Sequence, residues 1–329
     1  MRKLYLLFLI IISTLAGFGC TLIGGEDDDD GGGISPGTPD YPQTYAEPSV
    51  SPDGSKLLFV RNKVTRINKA GFFTIDPDSS GIWLAESDGS NMKLLIQSQN
   101  LGTPSFSPDM EWVLFEGGAQ IYKVPFATDS VNMDSLVQLT FEGRNFFPDW
   151  IPDGRWIAYD NTVCGSSGDP LPPNSCGILR IDNKGAGKKL VARGRMPDWS
   201  IDGKRLVYIG LKSEIFTIIL DDSTVTMLTS LNQSDDNSVD NRYPKYSLDG
   251  TQIAFQSDGQ VWIMQADGSN PRQLHEYGKM PAWYGNGKVV FIDFNPHRFT
   301  KDNGTIWIMN ADGSGKQQLT FNYGLELEE

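Results

Sequence analysis

The sequence predicts an all-β protein, a six-bladed β-propeller of four-stranded antiparallel blades. Three observations lead there. A proline-led signature occurs six times: PSVSPDG from Pro48, PSFSPDM from Pro104, PDWIPDG from Pro148, PDWSIDG from Pro197, PKYSLDG from Pro244 and PAWYGNG from Pro281. These prolines stand 56, 44, 49, 47 and 37 residues apart. Each is followed by one β-rich run (KLLFV, WVLFE, WIAYD, RLVYI, QIAFQ, KVVFI) and then a second (IWLAE, IYKVP, ILRID, IFTII, VWIMQ, IWIMN). Recurrence at the length of one blade marks a repeat architecture.

Residues 243–274 show each element of the unit. Pro244 has a fixed φ and disfavours helix before it, so it opens an extended first strand. Asp249-Gly250 and Asp267-Gly268 are dipeptides that tight hairpins select, because such turns need φ > 0. Residues 252–256 and 260–264, rich in β-branched and aromatic side chains, supply strands two and three, and 272–274 supply strand four.

The P-x-(W/F/Y)-S-x-D-G opening, the I-A-F second strand and the I-W-x-M-x-A-D-G-S…L-T close resemble TolB-type propeller repeats. The likeness covers residues 41–324. It implies the ring fold, and it raises the expectation of an envelope protein that binds other proteins. TolB itself carries an α/β domain before its propeller, so this chain resembles a propeller-only relative.

The N-terminus reads as an export signal over residues 1–19. Arg2 and Lys3 precede an apolar run over 4–12, too short to span a membrane, and small residues lead to Cys20. Cys20 after Gly19 resembles a bacterial lipoprotein signal, which implies a lipid on Cys20 and, with Thr21 rather than Asp next, the outer membrane. Gly17 and Phe18 depart from that pattern, and ordinary cleavage after Gly19 is the alternative. Residues 20–40, rich in Gly, Pro and Asp, read as a disordered acidic tether, and 325–329 as an acidic tail.

The whole chain carries a formal charge of −13. An acidic surface argues against nucleic acid as a partner and against charge-driven adsorption to anionic lipid. Cys164 and Cys176 share one Gly/Pro/Ser-rich loop. In an oxidising compartment the expectation is a disulfide closing it; a metal site lacks a nearby His or third Cys.

Strand phase puts the one-to-two and three-to-four hairpins on one face, with Asp109-Met110 replacing Asp-Gly in blade two. The long insertions at 61–80, 161–175, 230–241 and 293–303 fall on the other face. Long loops on a rigid scaffold are where binding concentrates. That face also gathers cations. Arg195, Arg242 and Lys279 stand two residues before the repeat proline in blades four to six, with Arg144, Arg193 and His275 near in sequence. They are candidates for gripping a ligand carboxylate at the channel mouth. Their alternative role is pairing with Asp149 and Asp198.

No nucleophile elbow, zinc-binding His motif or phosphate loop is present. The Asp-rich segments at 76–81 and 235–237 have oxygens suited to Ca²⁺, but hydrated acidic loops explain them as well, so no cofactor is expected. The periodic aromatics Trp150, Trp199, Tyr246 and Trp283 read as inter-blade packing. The function expected is a monomeric, non-enzymatic scaffold binding a protein or peptide in the envelope. The alternative is a propeller enzyme or binder acting on an acidic polysaccharide.

Overall fold

The computed structural model describes residues 45–67, 73–162, 177–229, 239–285, 287–295, 303–322 and 326–327. The signal, the tether, Cys20, Cys164, Cys176 and the acidic segment at 235–237 lie outside the described residues.

Six sheets form the ring, each built from consecutive sequence with strand one innermost. The inner strands are Tyr45–Val50, Leu101–Phe106, Asn145–Trp150, Arg195–Trp199, Asn241–Tyr246 and Gly278–Tyr284. Each packs against its neighbours, and Tyr45–Val50 meets Gly278–Tyr284 to close the circle. In blade two the outer edge is divided, since Ser130–Val131 and Val137–Gln138 both pair with Gln120–Ala127. The insertion in blade one forms its own hairpin, Val64–Ile67 with Phe73–Ile75. Glu326–Leu327, read from sequence as tail, pairs parallel to its first strand.

Second strands such as Lys56–Arg61 and Gln252–Ser257 are buried on both faces, because a blade is sandwiched between two others. That is why they read as continuous apolar runs rather than alternating ones. Closure rests on the same packing. One core cluster runs unbroken from Ile292, Ile306 and Leu319 of blade six through Tyr45, Phe59 and Ile82 to Phe106 and Phe115 of blade two. Tyr45 Oη donates to the Phe321 carbonyl at 3.0 Å, and Tyr284 Oη to Ser87 Oγ at 3.0 Å, across the same seam.

The repeat motifs have identifiable tasks. In S-x-D-G the buried Ser51 hydroxyl donates to Asp53 Oδ1 at 2.6 Å and accepts the Lys56 N–H at 2.9 Å, while Asp53 Oδ1 accepts the Ser55 N–H at 3.0 Å. Ser107, Ser200 and Ser247 repeat the arrangement. In L-T the threonine hydroxyl accepts an N–H at the start of strand three, as from Ile121 to Thr140, Ile215 to Thr229 and Ile306 to Thr320, each at 2.9 Å. The leucine backbone lies under the three-to-four hairpin of the next blade. A Cβ on Gly89, Gly185 or Gly268 would overlap the carbonyl of Leu319, Leu139 or Leu228. The Asp-Gly turns therefore serve inter-blade approach as well as turn geometry.

Two outcomes follow for stability. Gly89 has φ +84° and lies where blade one rests on blade six. Gly89→Ala is expected to lower unfolding free energy by about 2–4 kcal/mol in urea titrations, through strain and overlap together. Met110 holds φ +59° where the other blades' turns have glycine. Met110→Gly is expected to raise stability by about 0.5–1 kcal/mol in the same assay.

Candidate functional site

The channel is organised by a kink that the sequence hides. Glu47, Thr103, Phe147, Met196, Tyr243 and Met280, the six residues immediately before the repeat prolines, all have positive φ, between 42° and 54°. An extended approach to each proline was expected. Instead every inner strand carries a bulge there, with pairing resuming one residue after the proline. A bulge suits proline, which has no N–H to give the ladder. It leaves the preceding N–H without a ladder partner, and an unpaired buried donor is costly.

In five of the six the preceding blade in the ring supplies the acceptor. Thr103 N–H donates to Glu47 Oε2. Phe147 N–H donates to Glu116 Oε2 at 3.1 Å, Met196 N–H to Asp160 Oδ2 at 3.4 Å, and Met280 N–H to Gln256 Oε1 at 3.4 Å. Glu47 N–H reaches Met280 Sδ at 3.3 Å. The bulge side chains meet in the channel: the Phe147 and Tyr243 rings, from blades three and five, stand edge to face with centroids 5.8 Å apart.

Above this layer lies a cavity of about 290 Å³. Its rim is made by Pro52, Pro108, Pro152, Ile201 and Leu248, the residues that open the one-to-two hairpins. Ile201 and Leu248 are 53% and 40% exposed, so the mouth is apolar. Trp150, Trp199, Trp283 and Tyr246 line the walls, and Glu47, Asp149, Asp198 and Lys245 supply the charge. Lys245 Nζ lies 2.9 Å from Asp198 Oδ1, and Asp198 Oδ2 accepts the Tyr246 N–H at 2.7 Å. Asp149 Oδ2 accepts the Trp199 N–H at 3.2 Å.

Five channel carboxyls are pushed above the usual range, in each case chiefly by burial. In Glu47 the Thr103 N–H and Lys245 oppose the rise, whereas in Glu116 the neighbouring Glu47 charge adds to it. In Asp149 the opposing charge is Lys245, and Asp198 adds to the rise; Asp198 is likewise opposed by Lys245. Asp160, 1% exposed, rises to about 7 against the Met196 N–H and Arg195. Burial works against the Lys245 charge, but Asp198 and Asp149 outweigh it and raise the lysine. Asp198 has two close donors, the Lys245 ammonium and the Tyr246 N–H.

The sequence candidates fall elsewhere. None of Arg144, Arg193, Arg195, Arg242, His275 and Lys279 lines the hairpin-side cavity. Arg144 and Arg193 are exposed, and the Arg144 guanidinium lies 5.6 Å from the Phe146 ring centre. Arg195 Nη2 is 3.5 Å from Ser213 Oγ. Arg242 Nε contacts both Asp240 oxygens, at 2.9 and 2.7 Å. Lys279 Nζ sits 3.9 Å from the Phe294 ring centre. His275 occupies the outermost strand of blade five, with Nε2 3.4 Å from Asp293 Oδ2 and 2.9 Å from Lys316 Nζ. In the segment at 76–81, Asp76 Oδ1 accepts the Asp78 N–H at 3.0 Å and Asp78 Oδ1 accepts from Gln97 at 3.2 Å.

Glu47, Glu116, Asp160 and Lys245 were not singled out from sequence, and Asp149 and Asp198 only as partners for the cations. A signal existed: WVLFE, WIAYD and QIAFQ end in Glu, Asp and Gln at one register position, where the other copies are apolar.

The resemblance noted in the sequence has structural counterparts. A TolB-type protein of Agrobacterium tumefaciens superposes with TM-score 0.57 at 22% identity, covering 70% of this chain and 84% of that one. TolB from Acinetobacter baumannii gives TM-score 0.60 at 20% identity, covering 80% of this chain and 62% of its own. The fold is that of a TolB-like propeller. Tricorn protease reaches TM-score 0.57 at 15% identity over 88% of this chain but 27% of its own, so the ring also occurs inside a protease. In sequence, an uncharacterized protein of Agrobacterium fabrum is 27% identical over 228 residues, 63% of this chain and 71% of that protein. No protein-family model matches the chain.

The raised carboxyls predict a direction for stability against pH. A carboxyl whose pKa rises on folding favours the native state while protonated, and that contribution fades as pH climbs through its folded pKa. Tm is therefore expected to fall from pH 5.5 to 8.5. Asp160→Asn keeps an oxygen for the Met196 N–H and removes the buried charge. Relative to the parent it is expected to gain on the order of 1–3 kcal/mol more at pH 8.5 than at pH 5.5, read by thermal melts. A parallel offset at both pH values would remove Asp160 as a source of the slope.

Proposed function

We propose that this chain is an exported, non-catalytic scaffold that binds a segment of another envelope protein at its axial channel. The observation that carries the reading is the hairpin-side cavity, an apolar mouth over a charged, pre-organised interior. Rigid concave sites with few polar groups suit binding of an inserted segment. The TolB-like fold is consistent with this role. Among the described residues no cluster of His, Cys, Asp or Glu suited to holding a metal ion is found. The signal-like N-terminus and acidic tether support secretion with a lipid on Cys20 and an outer-membrane location, and an oxidising compartment there would let Cys164 and Cys176 pair; the propeller is proposed to act as a monomer.

The loop-face cations form a second proposed contact region, around Arg144, Arg193, Arg195, Arg242, His275 and Lys279. Exposed Arg144 and Arg193 favour an acidic group there, on a peptide or on an acidic polysaccharide.

Two measurements separate these readings. Ile201→Asp/Leu248→Asp is expected to abolish capture of a specific protein from envelope extract while leaving Tm within about 2 °C, because both side chains are exposed. Arg195→Ala/Arg242→Ala instead tests the loop face; loss of polysaccharide binding in that variant alone would favour the second reading. Cys20→Ser is expected to move the protein from the membrane to the soluble fraction.

A further inference from the structure

We propose that the hairpin-side cavity is a receptor for an organic cation, a primary ammonium or guanidinium carried on an apolar-flanked basic segment of the partner. This rests on the reading of the cavity as the binding site, and it specifies what the site selects.

Charge complementarity is the first ground. Three carboxylates, Glu47, Asp149 and Asp198, line the cavity against one ammonium, Lys245. That ammonium lies against Asp198, at 2.9 Å. The hydrogen bonds found on Glu47 and Asp149 come from the backbone N–H groups of Thr103 and Trp199, which solvate a carboxylate without cancelling its charge. A second cation entering the cavity would meet two carboxylates. An anion would meet one occupied lysine and three like charges.

The walls are the second ground. Trp150, Trp199, Trp283 and Tyr246 surround the acids, and aromatic walls beside carboxylates are favourable surroundings for ammonium and guanidinium groups. The rim is the third. Prolines and the exposed Ile201 and Leu248 offer apolar contact to residues flanking the inserted cation, while the formal charge of −13 favours approach of a basic segment.

The titratable groups facing the site are Glu47, Asp149, Asp198, Lys245, Tyr243 and Tyr246. Protonation of Glu47 and Asp149 at mildly acidic pH removes the attraction, so cation binding is expected to weaken as pH falls below 7.

The test uses the indole N–H signals of the full-length protein in detergent, since three tryptophans line the cavity. The probes are n-butylammonium, n-butanol and butyrate at pH 8 and pH 5.5. Saturable shifts confined to Trp150, Trp199 and Trp283 are expected, with n-butylammonium binding at least tenfold tighter than the other two at pH 8. That preference should collapse at pH 5.5. Asp149→Asn keeps an oxygen for the Trp199 N–H and should weaken n-butylammonium at least fivefold; Glu47→Gln provides the same test from blade one. Equal binding of n-butanol, tighter binding of butyrate, or no shift with n-butylammonium would each overturn the cation assignment. The rim-variant capture assay is read separately, so a positive capture with a failed cation test leaves the scaffold reading standing.

Discussion

The channel depends on one requirement: a backbone N–H released at each pre-proline bulge must find an acceptor outside its own sheet. Five of the six find it on a side chain reaching from the neighbouring blade: on an oxygen of Glu47, Glu116, Asp160 or Gln256, and on the Met280 sulfur. These bonds stitch inner strands together where the ladder is interrupted. They also draw carboxyl groups into the ring's centre, where desolvation makes an ionised acid costly. Three of the five interior acids, Glu47, Glu116 and Asp160, are thus a consequence of how the bulges are satisfied.

Packing does the remaining joining. The closing seam carries no strand exchanged between blades among the described residues; its core is continuous from Ile292 to Phe115. In blades one, three and five a glycine with positive φ lets the three-to-four hairpin rest on the preceding blade's leucine backbone. The ring is held by many equivalent contacts of modest strength, so the inner residues are free to differ from blade to blade. That freedom allows Ser49, Ser105, Asp149, Asp198, Lys245 and Ala282, all one place after the repeat proline, to make an asymmetric site on a near-symmetric frame.

Long insertions on one face direct attention to that face, where loop-borne cations gather. The cavity opens on the other, among tight hairpins whose short turns expose Ile201 and Leu248. A face of minimal loops leaves the channel mouth uncovered. Binding by insertion into a pre-formed recess needs no mobile loop, and it keeps the ordering cost of association low.

By itself the sequence determined the blade number, strand order and turn positions. These follow from local signals, β-rich runs and Asp-Gly dipeptides, repeated often enough that one ambiguous copy such as Asp109-Met110 did not matter. It also marked the aromatics after each repeat proline as inter-blade packing, and these line the cavity walls as well. Only the tertiary structure decided which polar residues share a site. Glu47, Asp149, Asp198 and Lys245 come from four blades and become neighbours because the ring brings equivalent positions to one axis. The burial that raises the pKa of Glu47, Asp149 and Asp198, and the two aspartates that raise Lys245 against its own burial, come together only once the inner strands surround them. The bulge itself was hidden for a related reason. Proline preference describes an isolated dipeptide, whereas the positive φ before each proline is imposed by the channel and compensated across blades.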